Sequence, residues 1–249
     1  MLDAWYTFPA QMGDHRAFIT YNHGYAEISK KDKRDFLLKV RVKTKNPTPS
    51  GMPTNEEFPV LSALDEKLDE SLAEKGSVHV GRITVDGYRH FYFYLDIVEQ
   101  AVSDTLEKVA NATSYKLQHS YKHDPEKEGY WNDLYPTKDD WQVIQDLKVL
   151  DALKEGGDNP KKPREVFHWA YFPDKKVANS FGKWVEANDY KLISIELADD
   201  KNMMKVRFSH VGTMVLEDIT HHTIGINRKA TEMNGNYDGW ETSIEQEQV

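Results

Sequence analysis

The chain has 249 residues, with 32 basic and 41 acidic side chains for a formal net charge of -9, 39 % hydrophobic residues and no cysteine. This length suits two ordinary cores better than one, and the acidic balance argues against a bulk basic nucleic-acid module. Disulfides, thiolate metal sites and cysteine nucleophiles are excluded, which suits a reducing compartment.

The start, Met1-Leu2-Asp3-Ala4-Trp5, lacks a basic segment followed by an apolar block, and no run approaches the roughly 20 apolar residues of a membrane span. A cytoplasmic, soluble protein is therefore expected. Residues 3–8 and 16–21 are aromatic-rich and flank Gly13-Asp14, the pattern of an N-terminal β-hairpin. In 36–44, Leu38, Val40 and Val42 alternate with Lys39, Arg41 and Lys43, as in a strand with one buried face.

Thr54 and Glu57 have capping-box spacing ahead of a helix running to Lys75, with Phe58, Leu61, Leu64, Leu68 and Leu72 as its apolar stripe and Gly76 as its stop. Strands 78–85 and 88–96 meet at Asp86-Gly87, a tight-hairpin signal. A helix through Val98, Val102, Leu106 and Val109 and a strand at 114–122 complete the order strand, helix, strand, strand, helix, strand.

The same order then repeats. After a connecting helix (137–155, stripe Trp141, Ile144, Leu147, Leu150, Leu153), we expect strand 164–172, helix 174–188, strands 190–197 and 203–210, a helix over Leu216 to Met233 stopped by Asn234-Gly235, and strand 237–245. The expected class is α+β: two ferredoxin-like domains in tandem, each an antiparallel sheet with helices on one face, divided as 1–136 and 137–249. The boundary falls in Gly129 to Pro136, or alternatively after the connecting helix near Gly156 to Pro163.

Catalytic signatures are lacking: no Gly-x-Ser-x-Gly elbow, Walker loop, Gly-x-Gly-x-x-Gly turn or His-Glu-x-x-His helix occurs. His168 and His210 fall on strands that this topology makes neighbours. His221 and His222 diverge by about 100° on a helix, too far to chelate one ion easily. No metal, cofactor or catalytic residue is expected, and the carboxylates of 65–74 read as a solvated helix face.

Tyr237-Asp238-Gly239-Trp240-Glu241 is the most distinctive segment. In a plain strand Tyr237 and Trp240 would face opposite sides, but a bulge with Gly239 at positive φ brings both rings to one face. Two readings stand side by side: the aromatics fill the core while Asp238 caps the bulge, or an exposed edge presents Trp240 as a protein-binding anchor. Nucleic-acid binding on an open sheet face is the rival to protein binding. It would use Lys39, Arg41 and Lys43 beside His90, Tyr92 and Tyr94, or Phe167, Trp169 and Tyr171 beside Lys205, Arg207 and Ser209. Packing of these aromatic faces against each other or against the opening hairpin is expected ahead of RNA contact.

From Leu153 onward the chain resembles the bacterial regulator of ribonuclease E activity, B type. The resemblance lies in Leu153-Lys154-Glu155-Gly156-Gly157-Asp158, Phe167-His168-Trp169, Asn188-Asp189-Tyr190 and, most specifically, Tyr237-Asp238-Gly239-Trp240-Glu241. It implies a ferredoxin-like protein inhibitor whose partner is an endoribonuclease. The first half, through Gly51-Met52-Pro53-Thr54 and Gly87-Tyr88-Arg89-His90-Phe91-Tyr92-Phe93-Tyr94, resembles the bacterial domain of unknown function 695, which implies no activity.

Overall fold

Two antiparallel sheets, each covered by helices on one face, make up the protein, whose computed structural model describes residues 4–198 and 202–246. The chain divides into two units, Met1–Thr137 and Lys138–Val249.

The first unit opens on a hairpin of β1 (Trp5–Met12) and β2 (His15–Asn22), then a short α1 (Tyr25–Ile28). β3 (Phe36–Lys43), α2 (Phe58–Ala73), β4 (Val78–Val85), β5 (Tyr88–Leu95), α3 (Glu99–Ala112) and β6 (Leu117–His123) follow in the expected order. The sheet runs β1-β2-β4-β5-β3-β6, so the opening hairpin extends it at the β4 edge. Asp86 (φ 47°) and Gly87 (φ 73°) form the two-residue turn between β4 and β5.

Period-two alternation puts Leu38, Val40, Val42, Phe91, Phe93 and Leu95 on one face, against Leu61, Leu64, Leu68 and Leu72 of α2 and Val102, Leu106 and Val109 of α3. Glu57 departs from the capping-box expectation. Its carboxylate accepts the backbone N–H groups of Lys45 (2.7 Å) and Asn46 (2.8 Å) and the Tyr115 hydroxyl (2.7 Å). Only the weaker half of the box survives, the Glu57 N–H approaching Thr54 Oγ1 at 3.4 Å. The physical reason is that α2 begins at Phe58, leaving Glu57 nearer the open amides after β3 than the Thr54 N–H.

The other face of this sheet is covered at one end by a π-helical turn, Gly129–Leu134. Asp124 anchors that turn by accepting the N–H groups of Glu128 (2.8 Å) and Gly129 (2.9 Å) and the Tyr94 hydroxyl (2.7 Å). A Cβ on Gly129 would lie 2.3 Å from Leu37 Cδ2, so only glycine lets the turn sit this close to the sheet.

The second unit runs α4 (Lys138–Glu155), β7 (Arg164–Phe172), α5 (Lys175–Ala187), β8 (Lys191–Leu197), β9 (Met204–Gly212), α6 (Leu216–Glu232) and β10 (Asn236–Thr242). Its sheet order is β10-β7-β9-β8, all neighbours antiparallel. β7 alternates without fault: Val166, His168, Ala170 and Phe172 are buried and Glu165, Phe167, Trp169 and Tyr171 half-buried. The buried face meets Ala178, Phe181 and Val185 of α5 and Ile226 and Ala230 of α6. A second cluster joins Leu153 of α4, Ile219 of α6 and Trp240 of β10. Among the described residues, no helix is long and apolar enough to cross a membrane.

Candidate functional site

β10 contains the expected bulge. Tyr237 pairs with Ala170, Gly239 with Trp169 and Trp240 with His168, the register shifting between Tyr237 and Gly239, whose φ is 129°. Tyr237 and Trp240 thus oppose Ala170 and His168, both inward residues of β7, and each ring is only 8 % exposed. The reading of Trp240 and Tyr237 as exposed anchors is corrected by this geometry, since the extra residue turns both rings into the core. Asp238 and Glu241 stay exposed on the edge strand beside the half-buried Gly239.

Inside, the two rings meet a buried polar network. The Trp240 indole N–H donates to Asp146 Oδ1 at 2.9 Å. Asp146, fully buried in α4, also accepts Gln142 Nε2 (3.0 Å) and the Thr223 hydroxyl (2.6 Å). Burial pushes its carboxyl above the usual range, against the pull of those three donors.

Tyr237 leads into a chain of rings. Its hydroxyl lies 2.8 Å from His168 Nδ1, and His168 Nε2 lies 2.8 Å from His210 Nδ1. A Tyr237 hydroxyl that donates to Nδ1 puts the His168 proton on Nε2, from which it donates to His210. His210 stacks on His222 with centroids 3.8 Å apart, and the Tyr190 hydroxyl is 2.8 Å from His222 Nδ1. Burial is the first cause depressing each histidine, helped at His168 by the neighbouring histidines; His210 falls to about 4. Tyr237 is raised well above the usual phenol range, again by burial first. The approach of His168 and His210 follows from their facing strands, and Thr223 lies on the face of α6 expected to be buried, whereas Asp146, Gln142 and Tyr190 were not anticipated. A hint existed in the four-residue spacing of Gln142 and Asp146, which places two polar groups on one helix face.

Among the described residues, no three His, Asp or Glu side chains are arranged to hold a metal ion. Its neutral histidines and buried carboxylate suit the network to holding β7, β9, β10, α4 and α6 together.

The outward face of the second sheet carries Phe167, Trp169 and Tyr171 in a row on β7, next to Lys205, Arg207 and Ser209 on β9. Arg207 lies over both Phe167 (4.9 Å) and Trp169 (5.5 Å). The basic groups here have local acidic partners: Lys205 pairs with Glu196 (3.0 Å) and Lys191 with Glu165 (3.5 Å). Register places Glu241 opposite Phe167, adding a carboxylate at the edge.

The first unit's second face is less open than expected. Lys39, Arg41 and Lys43 do stand opposite Tyr92, His90 and Tyr88. Yet Tyr94 is fully buried beneath the π-helical turn and Tyr92 is only 5 % exposed, so neither offers a stacking platform. Lys39 pairs with Asp133 at 2.6 Å, and Arg41 lies over Tyr88 at 3.7 Å; Lys43 is exposed.

Two protein-family models match the chain: the Family of unknown function (DUF695) over residues 3–135 and Regulator of ribonuclease activity B over residues 143–242. No curated protein matches. A similar solved structure, described as an unknown protein from Galdieria sulphuraria, shares 9 % identity over 84 % of this chain and 98 % of that one, with a TM-score of 0.22.

Proposed function

The chain belongs to the Family of unknown function (DUF695), and we propose that it is a non-catalytic regulator that binds another protein through its second unit. The match of residues 143–242 to the ribonuclease-regulator model supports this reading, because it spans nearly all of that unit. The partner we propose is an RNA-processing enzyme such as ribonuclease E, met in the cytoplasm. We read both units as ferredoxin-like domains in tandem, 1–136 and 137–249, supported by the orders β4-β5-β3-β6 and β8-β9-β7-β10, which are the same order by position.

The single observation that carries the binding mode is the outward row Phe167, Trp169 and Tyr171 with Arg207 laid across it. Aromatic side chains and arginine are the residue types that dominate protein interfaces. Asp238 and Glu241, the exposed members of the distinctive segment, then form an acidic rim suited to a basic partner segment. Single-stranded RNA is the poorer fit. Lys205 and Lys191 already have carboxylate partners, and Glu165, Glu196 and Glu241 would repel phosphates.

The test is a cleavage assay with purified ribonuclease E and a single-stranded RNA substrate, run with the full chain and with Trp169→Ala. Slowing by the wild type, lost in the variant while the thermal transition is kept, is the expected result. Absence of both slowing and binding to the enzyme overturns that partner. RNA binding in the absence of any protein, weakening steeply with salt, would favour the nucleic-acid reading.

A further inference from the structure

The opening hairpin widens the first sheet beyond what α2 and α3 cover, and a groove of about 270 Å³ lies where β1 and β2 pass the start of α2. Its polar lining is Thr7, Thr20, Arg82, Thr84 and Arg89, of which Thr20, Thr84 and Arg89 are buried. Its walls are apolar: Phe18, Phe58, Met52 and Pro53. Phe18 is 44 % and Phe58 52 % exposed, a high value for rings of that size that flank one opening.

Arg89 is the unusual group. It is 3 % exposed, its Nε donates to the Thr84 hydroxyl at 3.0 Å, and its Nη1 is buried without a hydrogen-bond partner. Burial, then the charge of Arg82, pulls it down to about 10, while Asp65, Tyr115 and Glu57 act at longer range in the opposite sense. It therefore remains a cation at neutral pH. Arg82 spends its charge on Asp65, to which it is tightly bonded. A buried guanidinium with an unmade hydrogen bond is costly, and a carboxylate is the group whose geometry satisfies it best. The Phe58 ring, in the first turn of α2, lines the same groove and lies 5.5 Å from that guanidinium.

We propose that this groove binds a small monocarboxylate carrying an aromatic or branched apolar group, the carboxylate on Arg89 and the apolar body between Phe18 and Phe58. The volume fits a compact acid and leaves no room for a long chain. The hydroxyls of Thr7 and Thr20, 2.9 Å apart, line the groove beside it. This site lies in the first unit and is independent of the protein-binding role proposed for the second.

The experiment titrates the full chain with benzoate, phenylacetate and isovalerate, and with benzamide as the uncharged control, following amide chemical shifts. Saturable shifts for the acids, centred on residues around Phe18 and Phe58 and at least about tenfold weaker for benzamide, are expected. Arg89→Gln should weaken binding of the acids by at least about tenfold. Should that variant fail to fold, Phe58→Ala, at an exposed position, should give a clear loss of affinity with an unchanged thermal midpoint. No saturable response to any of the acids overturns the proposal, as does equal binding of benzamide. Binding undiminished in folded Arg89→Gln or in Phe58→Ala overturns it as well, and would leave Arg89 as a brace for Thr84 alone.

Discussion

Trp240 on the last strand and Asp146 on the first helix of the second unit are joined by a 2.9 Å hydrogen bond across 94 positions of sequence. The most distinctive segment of the chain is thereby tied to a carboxylate with no access to water. Replacing Asp146 by Ala strands the donors of Trp240, Thr223 and Gln142 in the core, each an unmade buried bond. We expect Asp146→Ala to lower unfolding free energy by about 3 kcal/mol in urea titrations, and Asp146→Asn to cost less because one carbonyl oxygen still accepts. A loss under about 1 kcal/mol for the alanine variant would mean that water replaces the carboxylate.

The bulge predicts a different kind of damage. Gly239 at φ 129° has open space where a Cβ would stand, so Gly239→Ala meets backbone strain and no clash. Such strain is worth about 1 to 3 kcal/mol. Removing Asp238 restores two-residue alternation and sends either Tyr237 or Trp240 outward. The deletion should therefore cost more than the alanine substitution, and Trp240 fluorescence should shift to the red if its ring is the one expelled.

How much of this was readable beforehand depended on whether local pattern and burial agreed. β7 carries strict alternation over nine residues, and its limits were read from the sequence without error. The bulge was legible from spacing alone, because only an added residue lets Tyr237 and Trp240 share a face. What escaped was polar burial. α4 buries Gln142 and Asp146 alongside Ile144 and Leu153, so the expected stripe Trp141, Ile144, Leu147, Leu150 and Leu153 found the two apolar members of the buried face and left out the two polar ones. Gly129 to Pro136 reads only as a boundary between domains, yet Gly129–Leu134 is a π-helical turn with Tyr130 wholly buried. Its place is set by Asp124, close by in sequence, and by Tyr94 and Leu37, which no local window contains.

That turn makes the third prediction. Asp124 holds the Glu128 and Gly129 N–H groups and the Tyr94 hydroxyl. Burial pushes its carboxyl up, but these donors together outweigh burial and hold it below the usual range. Asp124→Ala should cost about 2 to 3 kcal/mol and speed amide exchange at 129–134 while sparing β7 and β9. Uniform acceleration across both units would argue that the turn is not a separate local element.

The histidine stack makes stability depend on pH, with a sign that can be worked out. Folded His210 stands at about 4 and His168 and His222 are also depressed, whereas unfolded histidine takes up a proton near ~6.5. Between those values the unfolded chain binds more protons, so stability is lost as pH falls through that window. Charging any one ring would also oppose its neighbours, since His168, His210 and His222 lie in contact and only Asp218 partly offsets charge at His210 and His222. Asp146 acts in the opposite sense: its raised carboxyl makes burial costly at neutral pH, a cost relieved only as the pH approaches its own protonation. The unfolding free energy from urea titration should therefore hold steady above about pH 7 and fall from about pH 6.5 toward 4, by roughly 2 kcal/mol for His210 alone. His210→Gln, which cannot charge, should show a shallower fall. A wild-type free energy flat over this range, or a variant with the same slope, would mean that the stack opens to water before it titrates.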